Sequence, residues 1–149
     1  MLKRYNQVFI SCFIMLDAVV TALSWTLAYF IRFHVEIIPV TKGIPPFRLY
    51  LELVVYAVII WGIVFKAMGL YAPMRSTPKL KETFKIAQAS TLALLIFIAV
   101  FYFLKEYKFS RLVILYFLVI NITMLSTFRV LLRVVLHSIR RRGYNLRHV

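Results

Sequence analysis

Apolar residues in this chain fall into four long runs, at about 8–33, 49–68, 86–104 and 112–136, separated by short polar stretches. Each run is close to the ~20 apolar residues that carry a helix across the hydrocarbon core of a bilayer. No segment shows the ten-residue alternation of a membrane barrel strand. The pattern predicts an all-α membrane protein with four transmembrane helices.

The polar stretches have distinct characters. Pro39, Gly43, Pro45 and Pro46 make the first connection an irregular loop. Gly69 and Pro73 end the second run, and Thr77 followed by Pro78 suits a helix cap and first helical position. Residues 79–85 carry Leu80 and Phe84 on one side and lysines elsewhere, which fits either an interfacial segment leading into the third helix or a simple basic loop. The third connection is short enough to make the last two helices an antiparallel hairpin. Tyr29, Phe30, Phe33, Phe47, Tyr50, Tyr102 and Tyr107 collect toward one interface and Tyr5, Tyr71 and Tyr144 toward the other, as in an aromatic belt.

Composition fixes the solvent. With 62% hydrophobic residues and a mean hydropathy of +0.84, a 149-residue chain has too much apolar side chain for a water-facing surface. The net charge is +14, from 19 Lys and Arg against five acids. Because the basic residues sit at the ends of apolar runs, they suit the lipid bilayer and anionic lipid headgroups as partners rather than nucleic acid. Thirteen fall at the two termini and in the second connection, and six in the first and third connections. The positive-inside rule therefore places both termini in the cytoplasm, in agreement with an even number of spans. Lys3 and Arg4 precede an apolar run about twice the length of a signal-peptide core, so the first helix is expected to stay as an anchor.

Three ionisable side chains lie inside the apolar runs: Asp17, Arg129 and Arg133. A lone charge at mid-bilayer costs a few kcal/mol, so partners are expected. At 1.5 Å per residue, Asp17 is roughly 14 Å from the cytoplasmic end of its helix, Arg129 about 16 Å and Arg133 about 10 Å. The levels match, which predicts an intramembrane ion pair of Asp17 with Arg129 or Arg133. Asp17, Thr21, Ser24 and Ala28 share one small, polar face suited to a buried helix contact. Snorkelling of both arginines to the headgroups is the plainer alternative. A third possibility is lipid-phosphate contact by the stripe of Arg129, Arg133, His137 and Arg140, continued by Arg141 and Arg142, since Arg forks match phosphate.

Catalytic constellations are not visible. The four glycines form no phosphate loop. His34, His137 and His148 are dispersed, and Cys12 is alone, so no metal site is assigned. The scattered acids give no catalytic or cofactor-binding residue either.

Several elements, in order, resemble a known family: LDAVVTALSWTLAYFIRF in the first helix, Gly69-Leu70-Tyr71, Glu82, Ser110-Arg111, Arg129 with Arg133, and the closing RRRGYNLRHV. Together they are similar to the amino-terminal four-helix membrane domain of bacterial polyprenyl-phosphate sugar-1-phosphate transferases. The resemblance implies a four-helix domain over 1–139 and, over 140–149, a basic linker into a cytoplasmic domain absent from this chain. It implies a bacterial inner-membrane protein that serves as the membrane-anchoring and assembly domain of a phosphoglycosyl transferase. Such an enzyme moves a sugar-1-phosphate from a nucleotide sugar to undecaprenyl phosphate and so starts exopolysaccharide or O-antigen synthesis. Mg²⁺ is then expected only in the missing catalytic domain, with undecaprenyl phosphate and the protein's own cytoplasmic domains as expected partners. Apart from the resemblance, small-residue surface that four helices leave unassigned makes a second copy of the chain a further candidate partner. Two alternatives stay open: the membrane domain of a nucleotide-sugar dehydratase of capsule synthesis, and a complete four-helix flippase or carrier for lipid-linked sugars.

Overall fold

The computed structural model describes residues 2–35, 37–41, 43–72, 78–104 and 110–141, and these are helical apart from the turns and connections. Four helices follow in order: α1 (Leu2–His34), α2 (Phe47–Ala67), α3 (Lys79–Leu104) and α4 (Arg111–Arg141). All four are long and apolar enough to cross a membrane. Each packs on its sequence neighbours, and α4 returns to close against α1. The ring is antiparallel throughout. Going from Asp17 to Ser24 along α1, the α4 partner changes from Arg129 to Met124.

The third helix starts earlier than the hydropathy pattern indicates. Residues 79–85 are neither a separate interfacial segment nor a loop but the first two turns of α3 itself. The backbone N–H groups of Lys81 and Glu82 donate to the Pro78 carbonyl, so the helix follows directly from the proline. The Thr77 cap lies outside the described residues. Lysines hid this continuity, because polar residues around most of the circumference mask the inward stripe of Glu82, Ile86, Ala89, Ser90, Ala93 and Phe97.

One end of the bundle is aromatic. Trp25 of α1 meets Phe97 of α3 and Phe117 of α4 at centroid separations of 5.3 and 4.9 Å, both edge to face. Its indole N–H donates to the Tyr50 carbonyl of α2 at 2.9 Å. Trp61 packs edge-on against Phe117 at 5.0 Å. Where a belt was expected, Tyr29, Phe33 and Tyr50 are buried against one another, and only some of the predicted set, such as Phe30 and Tyr102, faces outward. Spacing along the chain gives depth but not the side of the helix, hence the difference. Tyr107 and Tyr144 lie outside the described residues, as does the side chain of Tyr5.

The loop after α1 is held onto this end. Tyr29 donates to the Pro45 carbonyl at 2.8 Å, and the buried Arg32 donates to the Ile38 carbonyl. Arg32 therefore satisfies backbone as well as carrying charge.

Candidate functional site: an ion-pair cluster across the bundle

The other end of the bundle is charged, and its geometry begins with a turn. Met68 caps α2, and Gly69 follows at φ +71°. The Gly69 N–H donates to Lys66 and the Leu70 N–H to Phe65, at 3.1 and 3.0 Å, the paired bonds of a Schellman motif. Glycine is favoured there because a left-handed backbone suits few other residues. The turn buries Leu70 and leaves its carbonyl aimed into the bundle. Gly69→Ala meets no steric contact, so backbone strain alone should lower stability by about 1 kcal/mol, readable as a reduced thermal midpoint in detergent.

Arg129 of α4 sits where these elements converge, only 2% exposed. Its Nη2 donates to Asp17 Oδ2 of α1 at 2.5 Å, and its Nη1 donates to the Leu70 carbonyl at 3.2 Å. The same Nη1 lies 3.6 Å from Glu82 Oε1 of α3. Phe13, Phe65 and Tyr71 surround the guanidinium at 5.6–5.8 Å, a separation at which ring faces attract a cation. One side chain thus ties together α1, α3, α4 and the turn that ends α2.

Arg133, one turn further along α4, pairs with Glu82 Oε2 at 2.6 Å. It is 29% exposed against 3% for the Arg129 side chain, so it forms the rim of the cluster and Arg129 the interior. Glu82 bridges the two arginines. With two acids and two arginines the cluster has no net charge, the condition for tolerating such groups in a low-dielectric site.

Tyr71 closes one wall. Burial pushes its phenol above the usual range, and the Asp17 carboxylate beside it pushes the same way, so the hydroxyl keeps its proton. That hydroxyl is close enough to Asp17 to act electrostatically, but no bond of ordinary hydrogen-bond geometry joins them.

Of the sequence candidates, the structure brings together Asp17 and Arg129 directly. Arg133 joins them only through Glu82. Arg129 is enclosed, with both terminal nitrogens on protein acceptors. The side chains of His137, Arg140 and Arg141, and all of Arg142, lie outside the described residues. Asp17, Thr21, Ser24 and Ala28 do form one buried face of α1. Glu82 and the Leu70 carbonyl were missed as partners. Glu82 had a usable signal, since Ile86, Ala89 and Ser90 follow it at helical spacing on the buried side.

Glu82→Gln preserves shape but leaves Arg133 unpaired and Arg129 with a single carboxylate. It should lower stability by about 2 kcal/mol, seen as a lower melting temperature with unchanged helix content.

A family model described as a CoA-binding domain matches residues 66–149, more than half of the chain. The chain belongs to that family. The CoA-binding domain model occurs in sugar-phosphate transferase-like proteins. No curated protein and no solved structure gives a significant match. The segment matching the CoA-binding domain model runs from the end of α2 through α3 and α4. It contains Leu70, Tyr71, Glu82, Arg129 and Arg133, while Phe65 of α2 falls one residue before it. Asp17 and Phe13 come from outside the segment and complete the site from the first helix.

Proposed function

We propose that this chain is the membrane-anchoring and assembly domain of a phosphoglycosyl transferase of the bacterial inner membrane, with both termini in the cytoplasm. On this reading the whole enzyme transfers a sugar-1-phosphate from a nucleotide sugar to undecaprenyl phosphate. The observation that carries the proposal is the match over 66–149 to a model that occurs in sugar-phosphate transferase-like proteins, joined to a bundle of four membrane-type helices. The description "CoA-binding" would call for a nucleotide and phosphate pocket. The described part of the matched segment is instead two apolar helices and the end of a third. The role therefore follows the proteins in which the model occurs.

Anchoring and assembly, rather than transport, suits the interior. The paired charges of Asp17, Glu82, Arg129 and Arg133 gather at one end, while Trp25, Trp61, Phe97 and Phe117 fill the space beyond them. A carrier for a lipid-linked sugar needs a polar route between helices, and packed aromatics block one. A bundle held in register by ion pairs gives a rigid base from which α4 can lead toward catalytic machinery.

The test uses the full product of the gene that encodes this chain. Membranes containing it are supplied with undecaprenyl phosphate and a panel of labelled nucleotide sugars. Label should pass to the lipid with release of a nucleoside monophosphate, and the 149-residue chain alone should give no transfer. Flipping of lipid-linked sugar by vesicles containing only this chain would overturn the proposal in favour of a carrier.

A further inference from the structure

The first two turns of α3 have an outward face that the ion-pair cluster does not use. Glu82 points inward at 6% exposure. At about 100° per residue, Leu80 and Phe84 lie nearly opposite it, and Gln88, Lys81 and Lys85 follow on one flank. The helix surface therefore passes from apolar to basic around that side. Leu80 is 84% and Phe84 64% exposed, and both lysines are exposed. These five residues line a shallow, open groove on the surface of α3.

Neither water nor hydrocarbon suits this groove alone. Water would leave two large apolar side chains uncovered, and hydrocarbon would strand two ammonium groups. α3 has 26 residues and so spans ~39 Å, several ångströms more than the ~30 Å hydrocarbon core. The excess at its amino end lies at headgroup depth. There an acyl chain can lie along Leu80 and Phe84 while a phosphate sits between Lys81 and Lys85. The inward lock of Glu82 onto Arg129 and Arg133 fixes the rotation of α3 and holds the groove outward.

We propose that this groove is a binding site for one anionic phospholipid of the cytoplasmic leaflet. Charge complementarity identifies the occupant: among the described residues the ionisable side chains lining the groove are both lysines, and the carboxylate of Glu82 is turned away. The site rests on the reading above that the bundle lies in a membrane with its charged end at the cytoplasmic side.

The whole chain, purified in detergent, would be titrated with phosphatidylglycerol, phosphatidylcholine and inorganic phosphate, and bound lipid counted by native mass spectrometry. Phosphatidylglycerol should be retained in preference to phosphatidylcholine, and inorganic phosphate should not displace it. A Lys81→Gln, Lys85→Gln variant should bind phosphatidylglycerol about 25-fold more weakly, at roughly fivefold per lysine. A charge-matched Lys3→Gln, Arg4→Gln variant should bind like the parent. The lipid site is overturned if the first variant keeps its affinity, if both variants lose it equally, if phosphatidylcholine binds as well, or if phosphate displaces the lipid. Flotation with phosphatidylglycerol vesicles separates the two claims. A chain that floats but lacks lipid preference loses only the groove, whereas a chain that does not float loses the membrane reading and the groove with it.

Discussion

Arg129→Ala should destabilise the bundle by about 3–5 kcal/mol, the usual effect of removing one partner from a buried ion pair. The change leaves Asp17 and Glu82, 4% and 6% exposed, facing each other without the cation between them. It also removes the donor to the Leu70 carbonyl and opens a space among Phe13, Phe65 and Tyr71. Thermal unfolding of the purified chain in detergent, followed by loss of the monodisperse peak, reads the effect. Arg129→Lys should recover little, since one ammonium cannot serve two carboxylates and a carbonyl in the geometry of a planar fork. Combining Arg129→Met with Asp17→Asn and Glu82→Gln should recover much of the loss, because what destabilises is the stranded charge rather than the missing bond. Asp17→Asn alone should also melt below the parent. If Arg129→Ala or Asp17→Asn melts with the parent, the cluster does not hold the helices together.

The second large effect belongs to the opposite end. Trp25→Ala should lower stability by about 3 kcal/mol. In a membrane the unfolded helices already sit in apolar surroundings, so little of that comes from hydrophobic transfer. The loss comes from the cavity between Phe97 and Phe117, where a side chain 1% exposed had filled the centre of the bundle. Trp25→Phe keeps most of the volume and forfeits the N–H bond to the Tyr50 carbonyl, so about 1 kcal/mol is expected. The same melting measurement ranks the three proteins. If Trp25→Phe is as damaging as Trp25→Ala, the hydrogen bond rather than the packing holds α1 to α2.

Both predictions depend on a division between what spacing shows and what it hides. The depth argument put Asp17 and Arg129 at one level, and in the folded chain they are in contact. Depth did not separate Arg129 from Arg133, since both lie within reach of that level. The choice is made by rotation of α4, which turns Arg129 inward and leaves Arg133 at the rim. Glu82 escaped notice because it sits among Lys79, Lys81 and Lys85, where a basic connector explains the residues equally well. Gly69-Leu70-Tyr71 looked like a helix stop. It is also the turn that presents a carbonyl and a ring to Arg129.

The last helix shows the division most clearly. Its sequence alone determines that an apolar run acquires two arginines one turn apart, because hydropathy and helical spacing are properties of the chain by itself. That those arginines meet acids from α1 and α3, and that only the second approaches the surface, was decided by tertiary structure. Pairing between helices depends on their rotation and on the turn at Gly69, and neither is written in the periodicity of a single segment. A charge in an apolar run states that a partner must exist; packing selects which one.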